Sequence, residues 1–172
     1  EEDCFLITPT GFDRREVEIQ DIVKVFRGSR EAGKMPSRSV NLHREIYQQR
    51  PEINSVITAQ SPNAVAYAVT SVNFDSRAIP ESYIMLRKVK RLPFDMLYEE
   101  PKEVAGSLST ESPVLLIEND CVLTTGSSVL QSFDRLEVLE YTARALLKLP
   151  KIGELNAINE ERIKEIEQKF LD

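Results

Sequence analysis

Short apolar, β-branched segments alternate with stretches of helical periodicity along this chain, and that alternation most limits what it can fold into. Cys4-Phe5-Leu6-Ile7 is an apolar run closed by Thr8-Pro9-Thr10-Gly11, a turn signal in which proline fixes φ and glycine permits positive φ. Asp21 to Phe26 reads as a strand, ended by a loop from Gly28 to Gly33. Pro36-Ser37 opens a predicted helix to about Gln49, with Leu42, Ile46 and Tyr47 on one face and Pro51 as its stop. Ser55-Val56-Ile57-Thr58 is strand-like. Ser61-Pro62 then reads as an N-cap and first-turn proline, with Ala64, Val65, Ala68, Val69 and Val72 as the buried face. Ile79-Pro80 and Leu92-Pro93 divide the middle, Asn73 to Tyr98, into short extended pieces. Pro101 to Ser109 suits a short helix. Val114 to Ile117 and Cys121 to Thr125 read as strands around Glu118-Asn119-Asp120. Ser128 and Gln131 have capping-box spacing, and Phe133, Leu136, Leu139, Ala143, Leu146 and Leu147 follow at helical intervals. Asn159 caps a last helix with Ile163, Ile166 and Phe170 on one face and an Ile158–Ile163 staple. The result is one α/β domain over residues 1–172.

Composition narrows the partners. The 172 residues are 41% hydrophobic and 29% charged, a globular mixture. The net charge of −6, with the two signs interleaved, argues against nucleic acid and anionic membrane, which both need a basic footprint. The longest apolar runs are far short of the roughly 20 residues that span a bilayer. No charged-then-apolar segment opens the chain, and Cys4 and Cys121 form no spaced pair, so a cytoplasmic protein with reduced thiols is expected. One histidine, His43, excludes a histidine-cluster metal site.

Four segments, in this order, resemble the class II aldolase/adducin family, which includes fuculose-phosphate aldolase and ribulose-phosphate 4-epimerase. They are Phe5 to Gly11; Pro36-Ser37 through Leu42 to Pro51; Val56-Ile57-Thr58-Ala59-Gln60-Ser61-Pro62; and Asn119-Asp120-Cys121 to Gly126. The resemblance implies a three-layer sandwich with a central, mostly antiparallel sheet flanked by helices, and commonly a homotetramer. It also implies a first helix and a Gly-Asn phosphate loop, which the 172 residues lack.

In such enzymes zinc is held by a His-x-His-Ser-Pro strand end and an Asn-His-Gly turn, beside a glutamate at a Pro-Ser-Ser-Glu helix start. An open zinc position polarises a ketose carbonyl, and the carboxylate moves the proton. Here Thr58, Gln60 and Asp120 stand at the zinc-ligand positions and Ser39 at the acid/base position. Neutral oxygens replace imidazole poorly on zinc, so no zinc is expected. Asp120 with Gln60 and Thr58 could form a weak magnesium or calcium site, or Asp120 could simply bond its own turn. Cys121 reads as a small buried hydrophobe, lacking a neighbouring base.

Thr10, Gly11 and Ser37 match family positions that contact a substrate phosphate. Ser37 at a helix start, with Arg38 beside it, could grip that anion, or could merely cap the helix. Tyr83 lies near a tyrosine that some members lend to a neighbouring subunit; here it reads as packing or interface. His43 falls where members carry a histidine that is not a ligand, and a structural bond to a neighbour is expected of it. The expectation is a catalytically inactive assembly or sugar-phosphate-binding module. The competing expectation is a sugar-phosphate aldolase or epimerase with an atypical metal site.

Overall fold

A computed structural model describes residues 3–171. Two sheets carry the strands. Strands β1 (Cys4–Ile7), β2 (Val23–Phe26) and β3 (Ser29–Arg30) form a small antiparallel sheet in that order. Strands β4 (Ser55–Ala59), β5 (Lys90–Leu92), β6 (Val114–Ile117) and β7 (Val122–Gly126) form the larger sheet in the order β4-β7-β6-β5. Only the β5–β6 pairing is parallel, so the sheet is mostly antiparallel.

Helices cover both faces of the larger sheet. On one side lie α1 (Val40–Gln49), α4 (Met96–Glu99) and α5 (Pro101–Ser107), which bury Leu42, Ile46, Leu97 and Val104 against Leu115, Ile117 and Leu123. On the other lie α2 (Pro62–Ala68), α3 (Pro80–Leu86) and α6 (Val129–Leu146), which bury Ala64, Leu86, Leu139 and Ala143 against Val114, Leu116 and Val122. Alternate residues of β6 thus enter opposite cores, and this is why Val114–Ile117 is an unbroken apolar run. Each leucine fully buried there stabilises the fold by roughly 1.5–3 kcal/mol. This is the three-layer sandwich expected. A last helix, α7 (Glu160–Phe170), buries Ile163 and packs beside α3. Among the described residues no helix is long and apolar enough to cross a membrane.

Several local expectations change. The helix expected from Pro36-Ser37 starts only at Val40, because a turn from Ser37 to Val40 precedes it. The helix after Ser61 stops at Ala68, which leaves Val69 and Val72 exposed, and Tyr67 takes the buried place. Ile79-Pro80 opens α3 instead of an extended piece, since a proline in the first turn forfeits no hydrogen bond. Ser128 accepts from the Gln131 amide, but the Gln131 side chain turns to Ser127, so only half a capping box forms. Phe133, Leu147 and Phe170 are exposed.

Candidate functional site

The mouth of one cavity, about 330 Å³ in volume, collects residues from five separate parts of the chain. The first wall is the turn after β1. An antiparallel bridge between Pro9 and Pro36, with the Thr10 amide donating to Met35 and the Ser37 amide to Thr8, clamps residues 8–11 against residues 35–37. Gly11 turns the chain at φ 81°, a left-handed conformation that a side chain would strain. Thr10 and Gly11 line the opening.

The second wall is the turn before α1. Ser37, Arg38 and Ser39 line the cavity, and the Ser37 and Ser39 hydroxyls pair at 3.0 Å. The Ser37 amide is already committed to Thr8 at 2.9 Å. Ser37 therefore offers an anion its hydroxyl rather than a free helix-start amide, a correction to the expectation above. Arg38 is exposed and, among the described residues, makes no ion pair.

The floor comes from the larger sheet. Thr58 lies opposite Leu123 in the β4–β7 ladder, and Gln60 follows just past the strand end. Asp120 sits in the β6–β7 turn, where Asn119 adopts φ 54° and the Asp120 amide donates to Ile117. Among the described residues its carboxylate accepts no hydrogen bond, so the self-bonded turn aspartate is not what forms. Cys121 is buried, and burial, aided by the charge of Asp120, pushes its thiol up to about 12. At neutral pH it is a protonated, inert thiol.

Three lining residues had no signal in the sequence. Arg14 sits in the run Asp13-Arg14-Arg15-Glu16, which looks like an ordinary solvated charge cluster. Asp13 pairs with Arg15 at 2.8 Å, leaving Arg14 to line the cavity. Phe12 and Tyr98 add aromatic surface, both exposed. Tyr98 comes from α4, in the segment the sequence left as extended.

The donor set suits zinc badly. Thr58, Gln60 and Asp120 supply a hydroxyl, an amide oxygen and one carboxylate, while Arg14 and Arg38 bring positive charge to the same space. Among the described residues no group of three or more His, Cys, Asp and Glu is disposed to hold a metal ion. An oxyanion fits these walls better: two guanidinium groups, two serine hydroxyls and three threonines face a single acid.

Two other expectations resolve away from the cavity. Tyr83 is buried, its hydroxyl donating to Glu167 at 2.7 Å with the Arg87 guanidinium over its ring. It is a packing residue between α3 and α7 in this chain. His43 is buried beside Tyr47, but its Nδ1 has no hydrogen-bond partner, so the expected bond to a neighbour is not made at that nitrogen. Burial lowers its pKa from 6.5 to about 4.

The likeness to known proteins extends over this whole arrangement. L-fuculose phosphate aldolase of Methanococcus vannielii is 28% identical over 145 residues, covering 80% of this chain and 75% of the relative. The 3-oxo-tetronate 4-phosphate decarboxylase of Haemophilus influenzae is 24% identical over 95% of this chain and 80% of its own. YgbL from Escherichia coli superposes with a TM-score of 0.81 over 95% of this chain and 81% of its own, at 22% identity. L-fuculose 1-phosphate aldolase from Glaciozyma antarctica superposes at 0.79 over 98% and 68%, at 18% identity. Those two solved structures share the fold. The class II aldolase and adducin N-terminal domain family matches residues 1–147, and the chain belongs to that family.

Proposed function

We propose that this chain is a class II aldolase-like protein without aldolase chemistry, a cytoplasmic homotetrameric module that binds a phosphorylated small molecule. The observation that carries this reading is the composition of the cavity: one carboxylate, Asp120, against the guanidinium groups of Arg14 and Arg38, with Thr58 and Gln60 at positions where the resemblance implies metal-ligating histidines. A phosphate would take charge-assisted hydrogen bonds from Arg38 and from the Ser37 and Thr10 hydroxyls, while Gly11 keeps the turn open beside it. Ser39 is tied to Ser37, and an alkyl hydroxyl is too weak an acid and base to stand in for a carboxylate at neutral pH. Exposed Val129, Leu130 and Phe133 near the start of α6 offer apolar surface for symmetric assembly.

The test is isothermal titration with L-fuculose 1-phosphate, alongside a retro-aldol assay on the same preparation. Saturable heat is expected, weakened at least about tenfold by Arg38→Ala, with no turnover. Negligible heat in both proteins would overturn the binding role.

A second reading has support of its own: curated relatives named as sugar-phosphate aldolases and a decarboxylase lie at 24–28% identity over most of the chain. On that reading Asp120, Gln60 and Thr58 hold a hard cation such as magnesium, and the protein is a sugar-phosphate lyase or epimerase. Turnover dependent on magnesium and abolished by Asp120→Asn would favour it.

A further inference from the structure

A second recess, about 580 Å³, lies between the β2–β3 hairpin and the first turn of α1, and it shares no lining residue with the cavity above. We propose that it is a separate anion site, for a small molecule bearing a phosphate or carboxylate group. Its lining includes Gly28, Ser29, Arg30, Asn41 and Arg44, with no acidic residue, in a chain whose net charge is −6. Among the described residues neither arginine forms an ion pair.

The Arg44 Nε is buried and has no hydrogen-bond partner. A charged donor left unpaired is destabilising, and an oxyanion that draws the Arg44 guanidinium into the recess gives it the partner it lacks. Elsewhere the same guanidinium makes only a long contact, 3.5 Å, to Asn41 Oδ1, which steadies the fork without neutralising it. Arg30 donates to the Lys34 carbonyl at 3.2 Å, which braces the opposite wall.

The backbone is shaped to match. Gly28 turns the hairpin at φ 76°, and the Arg44 guanidinium lies 3.9 Å from where its Cβ would be, so the arginine and the turn enclose one space. Val40 and Asn41 bring the first turn of α1 into the same recess. The N-cap, Ser39, lends no side-chain bond to that turn, because its hydroxyl pairs with Ser37. The positive end of a ten-residue helix is thus available to an anion there. Phosphate and carboxylate share the paired-oxygen geometry that a guanidinium recognises, and they are separated by titrating each alone.

The experiment follows the arginine Nε–H and backbone amide signals of the isotope-labelled 172-residue chain by NMR while inorganic phosphate, and separately acetate, is added. The expected result is a saturable shift of Arg44 Nε–H together with the Gly28 and Ser29 amides. Arg44→Gln and Arg30→Gln should each weaken it at least about tenfold. Arg38→Ala, in the other cavity, should leave its midpoint unchanged, which keeps this site distinct from the one proposed above. Arg30 lies on an exposed hairpin, so its variant remains informative if Arg44→Gln perturbs α1. Shifts that stay linear in both anions, or a midpoint unaltered by both arginine variants, would overturn the proposal.

Discussion

The two ends of strand β4 carry the same kinds of residue and do opposite things. At its start, small polar groups are locked together. Ser132 of α6 donates to the Ser55 carbonyl at 3.1 Å, Thr124 to the Ser132 carbonyl at 2.9 Å, and Thr125 to the Pro113 carbonyl at 2.9 Å. These side chains are buried, and each hydroxyl proton has a destination. At the far end, Thr58 and Gln60 meet Asp120 in an open cavity, and the Asp120 carboxylate has no protein partner among the described residues. Satisfied hydroxyls fasten a helix to a sheet. Unsatisfied ones, next to arginines, are left for a ligand.

The largest effect that could break this contrast is at Gly126, on the closed end. A Cβ there would fall 2.8 Å from the Ser132 amide nitrogen and 2.9 Å from its hydroxyl, with backbone and not a flexible tip as the obstacle. Gly126→Ala should lower stability by about 2–3 kcal/mol, read as a fall in the urea midpoint at constant slope. A loss as small as that of a surface substitution would mean the two ends are equally loose.

His43 sharpens the contrast through pH. Its pKa falls from 6.5 to about 4 on burial, so the unfolded chain binds more protons than the native one between those values. The stability it confers is full above pH 6.5 and drains away as pH falls through 4, by about 3 kcal/mol at most. His43→Phe should flatten the stability profile between pH 6.5 and 4, followed by urea unfolding. An unchanged profile would show that the imidazole is not held neutral.

Charged side chains hold both ends of α2, the helix that follows the open end. Glu140 accepts from the Asn63 and Ala64 amides at its start, and Arg91 donates to the Tyr67 and Thr70 carbonyls at its end. Each charge opposes the helix dipole at its own terminus. Burial works against the Glu140 carboxylate, but those amides outweigh it and hold its pKa below the usual value. Its contribution is present at neutral pH and lost as pH falls through that lowered pKa. Glu140→Ala should cost about 1 kcal/mol at neutral pH and progressively less in acid. A cost that does not vary with pH would mean packing, not capping, is what Glu140 supplies.

The smallest effect belongs to the open end. Thr58→Ala and Asp120→Asn should each change stability by less than about 0.5 kcal/mol, since no buried partner is left behind. A large loss at either would place that residue in the scaffold.

The sequence was informative where local rules decide structure and weak where distant segments do. The run Val114–Ile117 announced a strand buried on both faces, and Asn159 caps α7 as read, its Oδ1 accepting from the Arg162 amide at 2.9 Å. The division into two sheets was not legible, because whether β1 joins β4 or β2 depends on tertiary pairing. In the middle, proline at Ile79-Pro80 marks a boundary without saying which element follows. Thr10, Gly11, Ser37, Arg38, Ser39, Thr58, Gln60 and Asp120 do converge on one cavity, and the order of motifs alone indicated them. Arg14 could not be found that way. Its selection depends on Asp13 choosing Arg15, which is a matter of local geometry.

The most direct test of the contrast at β4 is metal content at the open end. Protein purified without chelator, then incubated with zinc and desalted, should carry far less than one zinc per chain, and Asp120→Asn should leave that value unchanged. One zinc per chain, lost on Asp120→Asn, would contradict an open end built for an anion.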